Sequence, residues 1–347
     1  MIEMRSDTFS LPTEAMRRAM GEARLGDDVY GEDPTVRALE ERAAELTGKQ
    51  AACLMPSGTM ANLAALLTHA PRGSKVLVGD ESDIYLYEAG GASVCGGVVY
   101  EPVPNQPDGR LLLEDLRAGF PEDAEDPQFA LPSLICLENT QNRCGGAVLP
   151  PEYLSRVRDF AAARGVPVHL DGARLFNAAV ALGLPPGEIA RHADSVQFCL
   201  SKGLGAPVGS VLAGDEPFVR RARRVRKMLG GGMRQAGVIA AAGLVALEDT
   251  TRLAEDHHNA ARLAKGLADC EGIDIDPAVV RTNIVMFKVT DPRFTWQSFV
   301  ETAALHGLAI AELGHGRLRA VSHLGVGEKD IDEALRIVRR VLASGPA

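Results

Sequence analysis

Lys202 stands between the apolar run Val196–Leu200 and a glycine-rich turn, Gly203-Leu204-Gly205. Lysine is seldom buried without a partner. In an apolar setting, desolvation would lower its pKa and leave an amine nucleophilic toward an aldehyde. A surface-loop lysine is the plainer reading of the same residues. Asp171 closes a second apolar run, Val166–Leu170. That places it at a strand end, where open α/β sheets bind ligands. A carboxylate there can keep a pyridine nitrogen protonated, or can simply cap the next helix. Ser57-Gly58-Thr59 follows the apolar Ala51–Met55 and Pro56 and opens a helical stretch. The N–H groups and dipole of a helix N-terminus suit a phosphate, though an ordinary cap uses the same residue types. A phosphate, an aldehyde and a pyridine nitrogen occur together in pyridoxal 5'-phosphate (PLP). Three modest signals in this order imply a PLP site, with Lys202 holding the cofactor as a Schiff base.

The elements that must position these residues alternate. Strand-like runs are Val76–Val78, Val98–Val103, Leu134–Leu137, Val166–Leu170, Val196–Leu200 and Ser210–Leu212. They are apolar almost throughout, as in strands covered on both faces. Between them, Pro12–Met20, Thr35–Leu46, Ser57–Leu67 and Pro150–Ala163 read as amphipathic helices. The expected fold is α/β with a mostly parallel central sheet. From Gln235 the chain reads as one long helical stretch through Leu267. Short strands at Ile284–Val289 and Arg317–Val321 follow, then a helix over Glu328–Leu342. We expect a large α/β domain over residues 1–240. The connecting helix and a small α+β C-terminal domain would cover 241–347.

The 347 residues are 46% hydrophobic and 24% charged, with a net charge of −9, which argues against nucleic acid and anionic membranes as partners. No apolar run has the length of a membrane span, and the first residues lack a signal core. A cytoplasmic location is expected. The six cysteines form no Cys-x-x-Cys pair and read as core thiols, and no metal site is expected. His257-His258 and the run Arg220–Lys227 read as solvated helix faces.

Longer segments carry a resemblance over nearly the whole chain. They are Arg5–Thr8, Gly26–Pro34, Pro56–Asn62, Leu137–Thr140, His169–Arg174, Leu200–Leu204 and Gly230–Gln235. Their sequence resembles the low-specificity L-threonine aldolases, fold-type I PLP enzymes of the β-eliminating lyase superfamily. The resemblance implies that Lys202 binds the PLP aldehyde and Asp171 the ring nitrogen. Ser57, Gly58 and Thr59 would hold the phosphate, with Arg234 reaching in from a neighbouring subunit. Arg174 would sit near the ring hydroxyl or the substrate carboxylate. Ser6 and Arg319 would clamp that carboxylate, with Tyr30 and Gln141 also touching substrate. A homotetramer of dimers that share active sites is implied.

Three positions depart from the family pattern. A histidine before Ile-Tyr is Asp83 here, Thr-His-Asn is Thr140-Gln141-Asn142, and His-Phe is Gln128-Phe129. A carboxylate is an accepted general base, so Asp83 is expected to receive the β-hydroxyl proton in cleavage of a β-hydroxy-α-amino acid to glycine and an aldehyde. The same departures leave racemisation, β-elimination or glycine transfer as alternatives.

Overall fold

The computed structural model describes residues 1–346. After a short strand β1 (Ile2–Glu3) come β2 (Ala51–Met55), β3 (Lys75–Gly79), β4 (Val99–Val103), β5 (Pro132–Glu138), β6 (Val168–Asp171), β7 (Ser195–Cys199) and β8 (Ser210–Gly214). The last seven make one sheet in the order β2-β8-β7-β6-β5-β3-β4. From β7 to β4 every pairing is parallel, while β8 runs antiparallel to both β7 and β2. The expected mostly parallel α/β sheet is therefore present. Strands β6, β7 and β8 are buried throughout, because helices cover both faces of the sheet. Burial on both faces fails at β4. It is an edge strand with Val99 45% exposed, and the edge tolerates Pro102, which has no N–H to donate.

Local signals set several helix starts. Thr13, not Pro12, caps the first helix, Glu14–Glu22, by accepting from the Met16 N–H. Asp33 caps Pro34–Thr47, and Ser57 caps Gly58–His69. The single long helix expected after Gln235 is two, Gly237–Ala246 and Leu253–Ala268. Asp249 accepts from both the backbone N–H and the hydroxyl of Thr251. That local bonding competes with the helical ladder and breaks it. The arginine-rich helix Glu216–Met228 is not simply a solvated face. Arg226 is buried against Asp28 at 2.8 Å, and Arg223 pairs with Glu40. His257 is half-buried rather than on the surface, within 3.2 Å of the Asn177 amide.

The C-terminal strands β9 (Ile273–Asp274), β10 (Ile284–Val289), β12 (Ala311–Glu312) and β13 (Leu318–Val321) form an antiparallel sheet in the order β12-β13-β10-β9. Their apolar core includes Phe299, Leu335 and Val341, and it also contains Met4. The N-terminal strand β1 pairs in parallel with β11 (Leu308–Ala309) beside it. This arrangement brings the residues just after Met4 close to those just after Leu318.

Candidate active site

Parallel pairing puts the carboxyl ends of β3, β5, β6 and β7 along one edge of the sheet. Glu138 and Asp171 are the last residues of β5 and β6 and lie in register, while Asp83 and Lys202 follow β3 and β7. A cavity of about 220 Å³ opens there, lined by Gly58, Thr59, Asp83, Asp171 and Lys202 together with Thr8, Asn62, Tyr87, Glu88 and Gln197. Five of the residues nominated from sequence thus meet at one place.

Asp171 is buried and accepts from three donors: the Ala173 N–H at 3.0 Å, Gln197 Nε2 at 2.5 Å and Asn62 Nδ2 at 2.8 Å. Burial still raises its proton affinity, against the attraction of Lys202. A carboxylate of that kind suits a protonated ring nitrogen. The Lys202 amine makes no hydrogen bond or ion pair to any described residue. Desolvation alone would lower its pKa, but in the structure the shift has the opposite sign. Burial does act to lower it, yet Cys199, Asp83 and Asp7 outweigh burial and the repulsion of Arg174. The Cys199 thiol is itself pushed up by burial.

Thr59 and Gly58 line the cavity at the N-terminus of a 12-residue helix. Ser57 does not. It is exposed, and its hydroxyl oxygen accepts from the Met60 N–H as an ordinary cap. At Gly58 an added Cβ would lie 2.8 Å from Cys199 Sγ, so the backbone there is kept bare by close packing. An anion-accepting helix end, a partnerless amine and a strand-end carboxylate around one cavity fit the three parts of PLP.

Asp83 is held twice. Its Oδ1 accepts from Asn142 Nδ2 at 3.0 Å, and its backbone N–H donates to Glu138 Oε2 at 2.8 Å. Glu138 Oε1 accepts from the Asn142 N–H at 2.8 Å, so one buried carboxyl fixes both residues. Burial first, then Asp83 and Asp171, raise the proton affinity of Glu138. Asn142 Oδ1 accepts from Arg319 Nη1 at 2.7 Å, and Arg319 Nη2 donates to the Arg5 carbonyl beside Ser6. The buried Nε of Arg319 has no partner, and burial with nearby Arg174 lowers this guanidinium to about 10. Ser6 itself accepts from the Thr8 N–H.

Ser6 and Arg319 do not line the cavity, and the remaining nominations lie elsewhere too. Arg174 is buried in a two-bonded pair with Asp7, at 2.7 and 2.8 Å, which occupies its Nε and Nη2. Gln141 is fully buried, donating to the Glu81 carbonyl and accepting from the Cys144 N–H, so both ends of its amide are used. Its neighbour Asn142 is the residue that faces Asp83. Gln128 is exposed and bonded to Asp126. Tyr30 is 75% exposed, and Arg234 pairs with Asp27 at 2.9 Å on the surface. Asn62, Glu88, Gln197 and Asn142 were missed as site residues. Gln197 carried a usable signal, a large polar side chain inside an otherwise apolar strand.

Sheet order, strand-end carboxylates and a lysine beyond β7 define the class, and a family model described as Beta-eliminating lyase matches residues 3–291. The chain is 44% identical to low specificity L-threonine aldolase of Escherichia coli (strain K12), over 99% of this chain and 100% of that one. It is also 44% identical to low-specificity L-threonine aldolase 1 of Arabidopsis thaliana, over 98% and 96%. Among solved structures, a threonine aldolase of Leishmania major superposes with a TM-score of 0.82 at 21% identity, covering 99% of this chain and 100% of that one. The chain belongs to the low-specificity L-threonine aldolase family of β-eliminating lyases.

Proposed function

We propose that this chain binds PLP at the cavity and cleaves β-hydroxy-α-amino acids of the L-threonine and L-allo-threonine type to glycine and an aldehyde. The observation that carries this reading is the partnerless Lys202 amine facing the same cavity as Asp171 and Asp83. Lys202 would hold the cofactor aldehyde, Asp171 its ring nitrogen, and Gly58 and Thr59 its phosphate, with Ser57 shaping the helix end. When bound, PLP supplies an electron sink for the pair released from the Cα–Cβ bond. Arg319, with its free Nε, binds the substrate carboxylate beside Ser6, and Arg174 braces that wall through Asp7. Asp83, aimed by Asn142, takes the β-hydroxyl proton directly or through a water it orders. No feature of the site or of the relatives favours the racemase, β-elimination or glycine-transfer alternatives.

The test supplies L-threonine and L-allo-threonine to PLP-loaded protein and follows acetaldehyde. Both product and the near-visible absorbance of bound PLP should vanish in Lys202→Ala. Absence of acetaldehyde with either substrate would overturn the assignment.

We further propose a homotetramer of dimers with shared sites, in the cytoplasm. Tyr30 and Arg234 support the sharing, since both lie on the surface away from their own cavity. No helix among the described residues is long and apolar enough to cross a membrane.

A further inference from the structure

A second set of polar residues lies behind the cavity, and it follows from strand alternation. Side chains two apart on a strand share a face. His169 and Asp171 therefore share a face of β6, and Ser195 and Gln197 share a face of β7. The register pairs His169 with Ser195 and Asp171 with Gln197, so all four stand on one side of the sheet. The helix Gly58–His69 covers that side and turns Asn62 and His69, two helical turns apart, toward it.

The hydrogen bonds form one directed chain. Asn62 Nδ2 donates to Asp171 Oδ2 and to Glu88 Oε1, each at 2.8 Å, which uses both of its hydrogens. Asn62 Oδ1 can then only accept, and its partner is His169 Nε2 at 3.0 Å. His169 must carry its proton on Nε2. Its Nδ1 lies 2.9 Å from Ser195 Oγ, and His69 Nε2 lies 2.9 Å from the same hydroxyl. With His169 neutral, Ser195 donates to it and accepts from His69.

We propose that Asn62 and His169 are positioning residues that hold Asp171 in the orientation and ionisation its partnership with the PLP ring nitrogen requires, and that Ser195 and His69 anchor them. The inference rests on the PLP reading above. Burial keeps both imidazoles neutral, depressing His169 to about 3 and His69 to about 4. A neutral donor fixes the Asn62 amide without adding a positive charge that would compete for Asp171. If Asn62 were turned over, its oxygen would face two carboxyl groups. His169 supplies the bond that opposes this rotation.

Two measurements test the proposal. In protein labelled with ¹⁵N-histidine, the His169 resonance, identified by its loss in His169→Gln, should report a neutral Nε2–H tautomer from about pH 5 to 8. A charged ring or an Nδ1–H tautomer would overturn the proposal, with no variant required to function. Next, PLP dissociation constants and the pH titration of the bound cofactor's absorbance are compared in His169→Gln and His169→Phe, both of which keep Lys202. Gln can still donate to Asn62 and should stay within about twofold of the parent, whereas Phe should bind PLP at least about tenfold more weakly with a shifted titration. A folded His169→Phe protein with parental affinity and titration would refute the role. Failure of the PLP reading itself would appear separately, as no absorbance band in the parent protein.

Discussion

Asn142 Nδ2 lies 3.0 Å from Asp83 Oδ1, so the carboxylate in the cavity is aimed by an amide whose other end is bonded to Arg319. One side chain thus links the group proposed to bind the substrate carboxylate with the group proposed to take its hydroxyl proton. If Asp83 is the base, Asp83→Asn should lower kcat for threonine cleavage by about 10²–10⁴, the usual contribution of general-base catalysis, with little change in KM. Asn142→Ala should leave the base present but unaimed and cost less. Steady-state kinetics with L-threonine decides it, and an unchanged kcat in Asp83→Asn removes Asp83 from the chemistry.

Arg319 offers a planar fork whose Nε has no partner. Lysine keeps the charge but carries its three donors on one atom, without the guanidinium's spread across Asn142, Arg5 and a carboxylate. Arg319→Lys should raise KM for threonine by about tenfold or more, with a smaller effect on kcat. Equal losses in kcat and kcat/KM at unchanged KM would place this residue in the transition state instead.

Gly58 is packed against Cys199. Gly58→Ala should weaken PLP binding, and adding Cys199→Ala should recover part of the loss by removing the sulfur in the way. Titration of the two proteins with PLP gives the comparison. A recovery of zero would mean that the methyl group acts on the phosphate site directly and not through Cys199.

Shared sites have a genetic signature. Co-expressed Lys202→Ala and Arg234→Ala chains, each inactive alone, would form mixed dimers. One site in each mixed dimer would combine an intact Lys202 with an intact Arg234 from the other chain. Activity should return in the mixture, and its absence, with mixed dimers present, would confine each site to one chain.

The buried imidazoles set an acid limb of stability. His169 titrates near 3 in the folded chain against an ordinary 6.5, and His69 and His257 near 4. Below about pH 6.5 the unfolded chain binds protons that the folded chain refuses, so stability falls as pH drops toward these folded values. Glu88 and Glu138, whose folded proton affinities are raised, act with the opposite sign and favour the lower side of neutrality. Between about pH 6.5 and 4, thermal melts of PLP-free protein should show the parent losing more Tm on acidification, or gaining less, than His169→Gln. An equal slope would remove His169 from the linkage.

Much of the fold was legible, for a physical reason. Strands buried on both faces must be apolar along their length, and caps such as Asp33 and Ser57 act within three residues of themselves. The break at Asp249–Thr251 is equally local, but the apolar periodicity on either side of it masks it in the sequence. In the site, Asp171 and Lys202 stood out because charge at the end of an apolar run is costly without a use. Gln141 departs from the family pattern and so stands out in the sequence, but both ends of its amide are used within the fold and it is Asn142 that reaches Asp83.

Lys202 as a Schiff-base lysine, Asp171 as its counterpart and the family itself could be argued from residue types and order alone, since those depend on local chemistry and motif length. Which groups hold Asp171, how Asn142 joins Asp83 to Arg319, and the upward shift of Lys202 were decided only in three dimensions. Each depends on groups far apart in the chain, such as Asn62 with Asp171 or Asp7 with Arg174. Electrostatic sign at a buried amine is a sum over neighbours, and the sequence does not say who the neighbours are.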